Sequence, residues 1–497
     1  MSTMHLLKFY FGCVIAIFFT LFFTQCSIDR DYYTGDDIQL RYSLDTLTFD
    51  TVFTTIGSTT KFLKVYNDLN QRVNIDRIAL SSTFSQFFRL NVDGVPIENE
   101  IEDVTILPND SIYIFVETTI DPDQPNSISP FIIENWLTIS IQNKEDQILL
   151  QAWGQNANYI PSNQANSSVA YYSCNFGEWI WDDPRPYVVY GSLIIDSCDL
   201  VLPPGTKVYF HGGIANNDFG IYNDGLLIIR SRAKMLSMGE VDNKVEIRTD
   251  RLEEQYLDDG GQWAGIILSA GSKNNEFNHT LIYNSIVGVR VDSSSQVEFN
   301  SCEIGHNSAN NILAFHADVE ATNCLFHNAG DHGLLFTQGG NYKLTYCTVF
   351  NESSQSHALF MNNFRCTDPL CVEEILVNDA DGIFVNSIFS GYNEDEIWLQ
   401  DILQDQNGVM YQFDNCLFAV EELLDVENFP TFFEQVESSF NEYFIDSLFI
   451  DYEAYDFHLD TFALVLDAAR SISNVTEDIE GNMRGFTPDV GCYEFQD

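Results

Sequence analysis

The stretch FNHTLI at residues 277–282 returns as FNSCEI at 299–304, ATNCLF at 321–326 and LTYCTV at 344–349. After a longer gap it returns as FVNSIF at 384–389 and FDNCLF at 413–418. Each copy begins and ends with an apolar residue and has Cys, Ser or Thr at its fourth position. The first four copies are 22, 22 and 23 residues apart. A repeat of this length with strand-type alternation predicts the coils of a parallel β-helix.

A single coil cannot bury its inward side chains, so the repeat predicts stacked coils in which equivalent residues form columns. Cys302, Cys324, Cys347 and Cys416 share the fourth position and should lie about 4.8 Å apart along the axis. Because their side chains point in parallel, we expect buried free thiols there rather than disulfides. Asn residues one or two residues before the fourth position are predicted to stack as an amide ladder: Asn278, Asn300, Asn323, Asn386 and Asn415.

The composition predicts an all-β protein of several units. Aromatic residues make up 14% of the 497 residues and charged residues only 19%, which favours strands over helices. The formal net charge is -50, and Lys343 and Arg365 are the only cations between Val291 and Ala469. A nucleic-acid partner is excluded, because phosphate binding needs clustered cations. The acidity indicates either a soluble, self-repelling surface or one that attracts divalent cations.

Residues 1–26 are predicted to be a signal peptide. The apolar run from Phe9 to Phe23 follows His5 and Lys8 and is shorter than the roughly 20 residues of a spanning helix. The run ends at Cys26, and the sequence before this cysteine resembles the lipobox of bacterial lipoproteins. That resemblance implies lipidation of Cys26 and an outer-membrane anchor, with a polar tether at residues 27–37. Gln25 and Phe23 differ from the usual lipobox residues, so plain cleavage or a retained anchor stays open.

Residues 38–156 are predicted to form a β-sandwich. Short alternating segments such as Phe62-Leu63-Lys64-Val65-Tyr66 and Ser111-Ile112-Tyr113-Ile114-Phe115 are separated by Asn, Asp, Gly and Pro turns. A second set of short motifs resembles the immunoglobulin-like modules of bacterial surface proteins and of cilium-associated proteins: Phe49-Asp50, Val65-Tyr66-Asn67, Phe88-Arg89-Leu90 and Leu107-Pro108-Asn109-Asp110-Ser111. The resemblance implies a spacer or interaction module rather than a catalytic one.

The predicted solenoid spans residues 181–445, after a linker at 157–180 that is rich in Asn, Ser, Gln and Pro. Gly191-Ser192-Leu193-Ile194-Ile195 and Leu200-Val201-Leu202-Pro203-Pro204-Gly205-Thr206 resemble the first coils of right-handed parallel β-helix proteins with the pectin-lyase-like fold. This likeness indicates the fold and not the activity. The expected fold class is therefore a right-handed parallel β-helix preceded by an immunoglobulin-like β-sandwich.

The end of the chain, residues 446–497, carries a further resemblance. Asp478-Ile479-Glu480-Gly481-Asn482, Arg484 and Asp489-Val490-Gly491-Cys492-Tyr493-Glu494 resemble the tail of the choice-of-anchor Q family of exported β-helix proteins. Cys492 stands where that family commonly has Ala. In physical terms, we expect this tail to be a terminal cap that shields the open edge of the last coil.

Two cysteines lie outside the repeat position and close together in sequence. Cys366 and Cys371 flank Thr-Asp-Pro-Leu in an insertion, and a disulfide that closes this loop is predicted. A metal site is disfavoured there, because no second Cys or His pair has a matching spacing. If Cys26 is lipidated, nine cysteines remain in the mature chain, so at least one must be free.

Enzymes of the pectin-lyase-like fold cleave polysaccharides as lyases or as hydrolases. A lyase needs a basic residue with Ca²⁺-binding carboxylates, and Arg290, Lys343 and Arg365 are the only plausible bases in the central repeats. A hydrolase needs closely set acids. Asp379 and Asp381, and separately Asp331, are the nearest candidates, although Asn-Asp and Asp-Gly pairs are also ordinary turn chemistry.

Metal sites are weighed from the same residues. Asp379 and Asp381 could hold Ca²⁺ but offer few ligands, so we expect no obligatory cofactor. Five histidines lie within a short span, and stacking on the surface is the simpler interpretation than a metal site: His306, His316, His327, His332 and His357. The sequence therefore predicts a surface lipoprotein that binds glycan or protein, with polysaccharide cleavage as the alternative.

Overall fold

The computed structural model describes residues 32–496, apart from positions 36, 54–57, 59, 82–83, 120–130, 162–167, 219, 354, 367–373, 403–407, 426–431, 433–435, 438 and 442–446. The chain divides into two compact units after Gln155. None of the helices in the described part is long and apolar enough to cross a membrane. Cys26 and the predicted signal peptide lie outside the described residues.

The first unit consists of two five-stranded sheets that share one apolar core, as the alternating segments predict. In spatial order the first sheet contains Arg41–Tyr42, Lys61–Asn67, Asp110–Thr118, Phe88–Val92 and Val95–Ile97, and the second Thr46–Phe53, Lys144–Gln155, Phe131–Ile141, Val73–Leu80 and Glu100–Ile106. Alternate residues of each sheet face the core, among them Leu63, Ile114, Leu137 and Leu150. A 3₁₀ turn, Ser85–Phe87, precedes Phe88–Val92.

The predicted tether at 27–37 is wrong for its described end, which belongs to the first unit. Tyr32 forms a bridge with Arg72, and the Tyr33 N–H donates to the Arg72 carbonyl at 2.8 Å. The ring of Tyr33 packs against the apolar core. Partial burial of this aromatic ring, together with the backbone contacts to Arg72, explains why a segment that looks polar in sequence is held in place.

The second unit is a parallel solenoid with three sides. Side 1 is one sheet with the spatial order Asn158–Ile160, Tyr187–Tyr190, Lys207–His211, Val245–Thr249, Thr280–Tyr283, Glu303–Gly305, Leu325–Phe326, Thr348–Asn351, Ile388–Gly391, Leu417–Phe418 and Phe440–Asn441. Sides 2 and 3 form a second sheet, which is continuous because Ile312–Thr322 and Leu334–Thr345 run across the corner from side 2 to side 3.

The remaining strands complete these sides. Side 2 also contains Val169–Tyr172, Ser192–Ile195, Leu226–Ile229, Trp263–Leu268, Ser285–Val291, Leu359–Asn362 and Ile397–Gln400, and side 3 contains Gly177–Ile180, Cys198–Leu202, Lys234–Met238, Asn275–Asn278, Gln296–Asn300, Ala380–Val385, Val409–Asp414 and Val436–Glu437. Hairpins and 3₁₀ turns lie between or after the coils: Ile214–Asn217 with Gly220–Asn223, Phe364–Cys366 with Ile375–Val377, Phe449–Asp451 with Asp456–Leu459, Glu254–Tyr256, Glu422–Leu424 and Tyr452–Ala454.

The strand register confirms the predicted column of cysteines. Cys302, Cys324, Cys347 and Cys416 follow one another in register on side 1, with Ser387 in the coil between the last two. These four cysteines are buried and free. The thiol of Cys302 donates to the Phe277 carbonyl of the preceding coil at 3.1 Å, and the other thiols make equivalent contacts. Each thiol is therefore satisfied without a disulfide.

The inward apolar residues also stack. The rings of Phe277 and Phe299 lie 5.1 Å apart, and those of Phe384 and Phe413 lie 4.7 Å apart. Burying one such side chain stabilises the fold by about 1.5 to 3 kcal/mol. The continuous core, rather than a single contact, therefore holds the solenoid together.

The predicted amide ladder is correct only for its first pair. The Asn300 amide donates to the Asn278 side-chain oxygen at 3.2 Å. Asn323, Asn386 and Asn415 instead have φ of 53°, 52° and 54°, at the corner between sides 3 and 1. Their amides donate to carbonyls of the C-terminal segment at 2.8 to 3.0 Å. A left-handed backbone favours Asn at this corner, and the carbonyls nearby take its amide.

The predicted linker at 157–180 is wrong, because most of it forms the first coil. Asn158–Ile160 pairs in parallel with the strand that begins at Tyr187, and Gly177–Ile180 pairs with the strand that begins at Cys198. A disulfide between Cys174 and Cys198, not expected from the sequence, joins this coil to the next. The solenoid therefore begins more than 20 residues before the predicted boundary at 181.

The predicted end cap is also placed differently. The described part of the tail, residues 447–496, is named the C-terminal segment here. Its apolar residues pack against the outer surface of side 1 over several coils, in one cluster with Leu325, Tyr346, Phe350, Ile388 and Leu417. These outward residues of side 1 are apolar and would otherwise face water. The segment therefore covers the side of the solenoid rather than only its last coil.

Candidate functional site

The outer surface of side 3 carries two rows of polar residues. Alternation along each strand sends Val297, Val319 and Tyr342 into the core and the residues on either side of them outward. One outward row contains Glu276, Glu298, Glu320, Lys343 and Ile383, and the other contains Gln296, Asp318, Asn341 and Asp381. Parallel strands in register therefore place acids from successive coils beside one another.

These rows line a groove with a volume of about 330 Å³. Its described lining includes five carboxylates and one ammonium: Glu276, Glu298, Asp318, Glu320, Asp381 and Lys343. The ammonium of Lys343 pairs with Glu320, and the Asn341 amide donates to the Asp318 carboxylate at 2.7 Å. The groove is therefore strongly acidic and has side chains that donate and accept hydrogen bonds.

The spacing of the carboxylates follows from the coil repeat. Glu298 and Glu320 lie on adjacent coils, so their backbones are about 4.8 Å apart. Asp318 and Asp381 are separated by the coil of Asn341, which doubles that distance to about 9.6 Å. Carboxyl pairs about 5 Å apart occur in retaining glycosidases, and pairs at about 6.5 to 9.5 Å occur in inverting ones.

The structure separates the acids that the sequence singles out. Asp381 lies in the groove. Asp379 is exposed in the turn before it, and its backbone carbonyl accepts from the Gly340 N–H at 2.9 Å. Asp331 lies at the corner between sides 1 and 2, with its carboxylate 3.8 Å from the His332 ring. Asp331 is thus not part of the same site.

Sequence reasoning missed Glu298, Asp318 and Glu320, although a signal for them was present. Glu276, Glu298 and Glu320 are spaced by 22 residues, the same period as the repeat. Each also lies one residue before the apolar position that opens its repeat copy. Extending the repeat to its polar positions would have predicted this row.

The three candidate bases do not share a site. Lys343 lies in the groove and is paired with Glu320. Arg290 is on side 2, where its guanidinium is 2.7 Å from the Asp292 carboxylate. Arg365 is exposed in the hairpin that begins at Phe364. A lyase arrangement would therefore depend on Lys343, whose ammonium already has a carboxylate partner.

Four of the five histidines form two pairs rather than one surface stack, and His316 is half-buried apart from both pairs. His306 and His327 are buried with ring centroids 4.8 Å apart, beneath Tyr455 of the C-terminal segment. Burial lowers the pKa of His306 to about 3, so this ring is neutral at ordinary pH. His332 and His357 stack at 5.3 Å elsewhere. The surface interpretation is therefore wrong for His306 and His327.

The predictions about metal ligands and about the Cys366–Cys371 disulfide concern a part of the chain that the structure describes incompletely. Within the described residues, no group of three or more His, Cys, Asp or Glu side chains is arranged to hold a metal ion. Cys366 is disulfide-bonded. Cys371, its predicted partner, lies outside the described residues, so that pairing stays a prediction.

Comparison with a family model supports the fold. Residues 213–367 and 264–394 match the family model described as right handed beta helix region. No curated protein matches the chain. The chain is similar to the catalytic unit of a thermostable GH87 alpha-1,3-glucanase from Streptomyces thermodiastaticus strain HF3-3, with 9% identity and a TM-score of 0.29, over 72% of this chain and 77% of the glucanase.

Two further solved structures are more distant. A family 123 glycoside hydrolase from Clostridium perfringens has 9% identity and a TM-score of 0.18, over 47% of this chain and 64% of that one. The periplasmic chaperone SfaE has 9% identity and a TM-score of 0.17, over 24% of this chain and 58% of that one. This chain thus spans less than two-thirds of either protein. TM-scores this low show no shared fold and no shared chemistry with either of them. The strand register and the family match together identify the solenoid as a right-handed parallel β-helix.

Proposed function

We propose that the β-helix binds glycan chains in the acidic groove of side 3. The observation that carries this proposal is the in-register row of Glu276, Glu298 and Glu320 beside the row that contains Asp318, Asn341 and Asp381. Carboxylates accept hydrogen bonds, and the Asn341 amide and the Lys343 ammonium donate them. Sugar hydroxyls need both kinds of partner. The groups recur at the coil spacing, which suits a linear polymer along the groove.

The charge of the groove indicates the class of glycan. Five carboxylates and one paired ammonium repel a uronate polymer such as pectate or alginate. Neutral glycans and amino-sugar polymers avoid this repulsion. Protonated amino groups of an amino-sugar polymer are in addition attracted by the carboxylates. Neither class requires Ca²⁺ as a bridge, so the proposal includes no cofactor.

Polysaccharide cleavage is the second candidate function. It is favoured by the placement of the acids, since Glu298 and Glu320 lie one coil apart and Asp318 and Asp381 two coils apart. These backbone spacings allow the carboxyl separations that glycosidases use. In this version, one acid of a pair protonates the leaving oxygen and the other acts as base or nucleophile. Both versions share the groove and the substrate class.

The rest of the chain supports presentation of the groove at the cell envelope. We propose that Cys26 is lipidated and anchors the protein in the outer membrane, facing the cell surface. The two-sheet unit would act as an immunoglobulin-like spacer. The C-terminal segment would be a choice-of-anchor Q tail, a proposal that rests on the motif around Arg484. A surface protein is the alternative ligand class.

The groove is tested by binding and cleavage in parallel. Chitosan, neutral glycans, pectate and alginate are offered to the protein, and retention, new reducing ends and unsaturated products are measured. We expect retention by a neutral or amino-sugar glycan, weakened about tenfold, or ~1.4 kcal/mol, in the double variant Glu298→Gln and Asp381→Asn. Asp331→Asn, at an exposed acid outside the groove, is the matched control and should behave as wild type.

The outcomes separate the two candidates. If wild type produces new reducing ends and the double variant does not, the groove is a site of hydrolysis rather than of binding alone. Retention by pectate alone, or equal retention of the wild type and the double variant, would refute the assigned groove. A captured protein with no glycan retention would change the ligand class.

The anchor has its own prediction. Cys26→Ser removes the thiol that would carry the lipid, so the protein should move from the membrane fraction to the soluble fraction. Labelling with a fatty-acid analogue should be lost at the same time. A variant at Cys13, a cysteine inside the apolar run, is the control and should stay in the membrane fraction. Fatty-acid labelling that persists in Cys26→Ser would contradict lipid anchoring at this cysteine.

A further inference from the structure

The second sheet of the first unit presents two large aromatic side chains to solvent. Trp136 is 44% exposed and Trp153 is 43% exposed, and Ile132 beside them is 53% exposed. Exposed tryptophans are uncommon on a surface with no ligand, because Trp contributes most when its rings are covered. The residues that face inward on the same strands, such as Ile133 and Leu150, are buried in the apolar core, so the tryptophans are not needed to complete it.

The strand register fixes how these residues are arranged. Phe131–Ile141 and Lys144–Gln155 are antiparallel, with Trp153 opposite Ile132 and Trp136 opposite Leu149. Between these two apolar pairs, Glu134 lies opposite Gln151. The two tryptophans are four residues apart along the strands, which corresponds to roughly 14 Å. The surface is therefore a platform of two paired strands with an aromatic group at each end.

The centre of the platform is polar and organised. The Gln151 amide donates to the Glu134 carboxylate at 2.8 Å. This pair leaves the other carboxylate oxygen and the amide carbonyl as acceptors and one amide hydrogen as a donor. The strands beneath are held by buried side chains of the core, so the two ends of the platform keep their spacing.

We propose that this platform is a second glycan site, which binds an extended neutral polysaccharide chain across the two strands. The C–H faces of sugar rings would cover the Trp136 and Trp153 rings, and hydroxyls between them would bond to Glu134 and Gln151. A protein partner fits less well, because the centre of a protein interface is depleted of charged residues, whereas here a carboxylate occupies the centre. The site is independent of the groove on side 3.

The test uses the full chain and affinity electrophoresis through gels that contain xylan, mannan or hydroxyethylcellulose, with depletion by insoluble chitin and cellulose. Trp136→Ala and Trp153→Ala should each weaken retention at least tenfold on the polymer that retains the wild type. Phe62→Ala is the matched control, since Phe62 is 48% exposed on the other sheet of the same unit. The two sites are distinguished by which variants lose retention: a polymer bound by the platform is lost by the tryptophan variants, and one bound by the groove is lost by the double groove variant.

Loss of folding is separated from loss of binding by a milder variant. Glu134→Ala removes only an exposed carboxylate and should weaken retention about threefold, with an unchanged melting temperature. The inference is overturned if no polymer retains the wild type or if the tryptophan variants bind as wild type does. The inference is also overturned if the tryptophan substitutions only convert a dimer to a monomer, because the platform would then bind a second copy of this chain. Loss of retention in the groove variant alone would leave the proposed function standing and remove this second site.

Discussion

Replacing Arg484 with Ala is expected to release the C-terminal segment from side 1. The guanidinium is 1% exposed and donates to the Asn323 side chain at 3.0 Å, to the Gly491 carbonyl at 2.9 Å and to the Glu494 carboxylate at 3.3 Å. It also lies 3.9 Å from the centre of the Tyr346 ring. Removing one partner of a buried ion pair costs about 3 to 5 kcal/mol, because the other charge stays buried and unpaired.

The release is measured by hydrogen exchange and limited proteolysis of residues 447–496. Arg484→Lys keeps the charge but not the planar fork or its stacking, so an intermediate loss of protection is expected. Arg470→Ala is the matched control, since Arg470 also belongs to the segment and pairs with Asp414, but its side chain is 56% exposed. That pair should contribute less than about 1 kcal/mol. Wild-type protection in Arg484→Ala would contradict this role.

The second large effect is expected at Glu396, which is fully buried. Its carboxyl group accepts from the Ala358 and Asn393 backbone N–H groups at 2.8 Å and from the Asn351 amide at 3.1 Å. Glu396→Ala leaves the Ala358 and Asn393 N–H groups without this acceptor, and each such loss costs about 1 to 3 kcal/mol. The Asn351 amide keeps the Ser353 and Ser356 carbonyls as acceptors. We expect a destabilisation of several kcal/mol, measured by denaturant unfolding. Glu422→Gln, at an exposed neighbour, should be neutral.

The same residue makes stability depend on pH. Burial raises the pKa of Glu396 to about 8 and that of Glu352 to about 7. In both cases the folded state holds a proton that the unfolded state has lost, so this stability is complete below about pH 4.3 and disappears as pH rises through the folded pKa. The lowered pKa of His306 has the opposite effect, but only below about pH 6.5.

Above pH 6.5 the glutamates act together with His211 and His458. Burial lowers the pKa of each histidine, but hydrogen bonds to Asp250 and to Asp456 and Glu480 outweigh it, so both pKa values are raised. Only the difference between wild type and a Glu396 variant therefore isolates Glu396. The free energy of unfolding should fall between pH 6.5 and 8 in the wild type, by an amount on the order of 1 kcal/mol per pH unit. Glu396→Gln cannot titrate, and its curve should be flatter over this range. A wild-type stability that rises between pH 6.5 and 8, or identical slopes in the two proteins, would rule out a protonated Glu396 in the folded state.

The solenoid could be predicted because its repeat is written in residues that face inward. The spacing of Cys302, Cys324 and Cys347 is set by the length of one coil, and each must occupy the same buried column, so the period survives in the sequence. The coil that contains Cys174 has no such copy of the motif. Its Asn and Ser content resembles a linker, and only pairing with the next coil shows that it belongs to the solenoid.

The site was harder to predict than the fold for a physical reason. Outward residues are free to vary between coils, as the change from Glu320 to Lys343 to Ile383 along one row shows. The polar repeat therefore persists over only a few coils. The groove becomes visible only when the strands are placed in register. The same holds for Arg484, whose partners Asn323 and Tyr346 lie more than 130 residues away in sequence. The local motif predicts that Arg484 is important, but its contacts depend on how distant parts of the chain pack together.

A glycan that lies in the groove of side 3 should be detectable by hydrogen exchange, measured with and without a retained neutral or amino-sugar oligosaccharide. We expect slower exchange in Gln296–Asn300, in residues 318–320 and 341–343, and in Ala380–Val385, with side 2 unchanged. Protection confined to side 2 or to the C-terminal segment, with none in these strands, would contradict it.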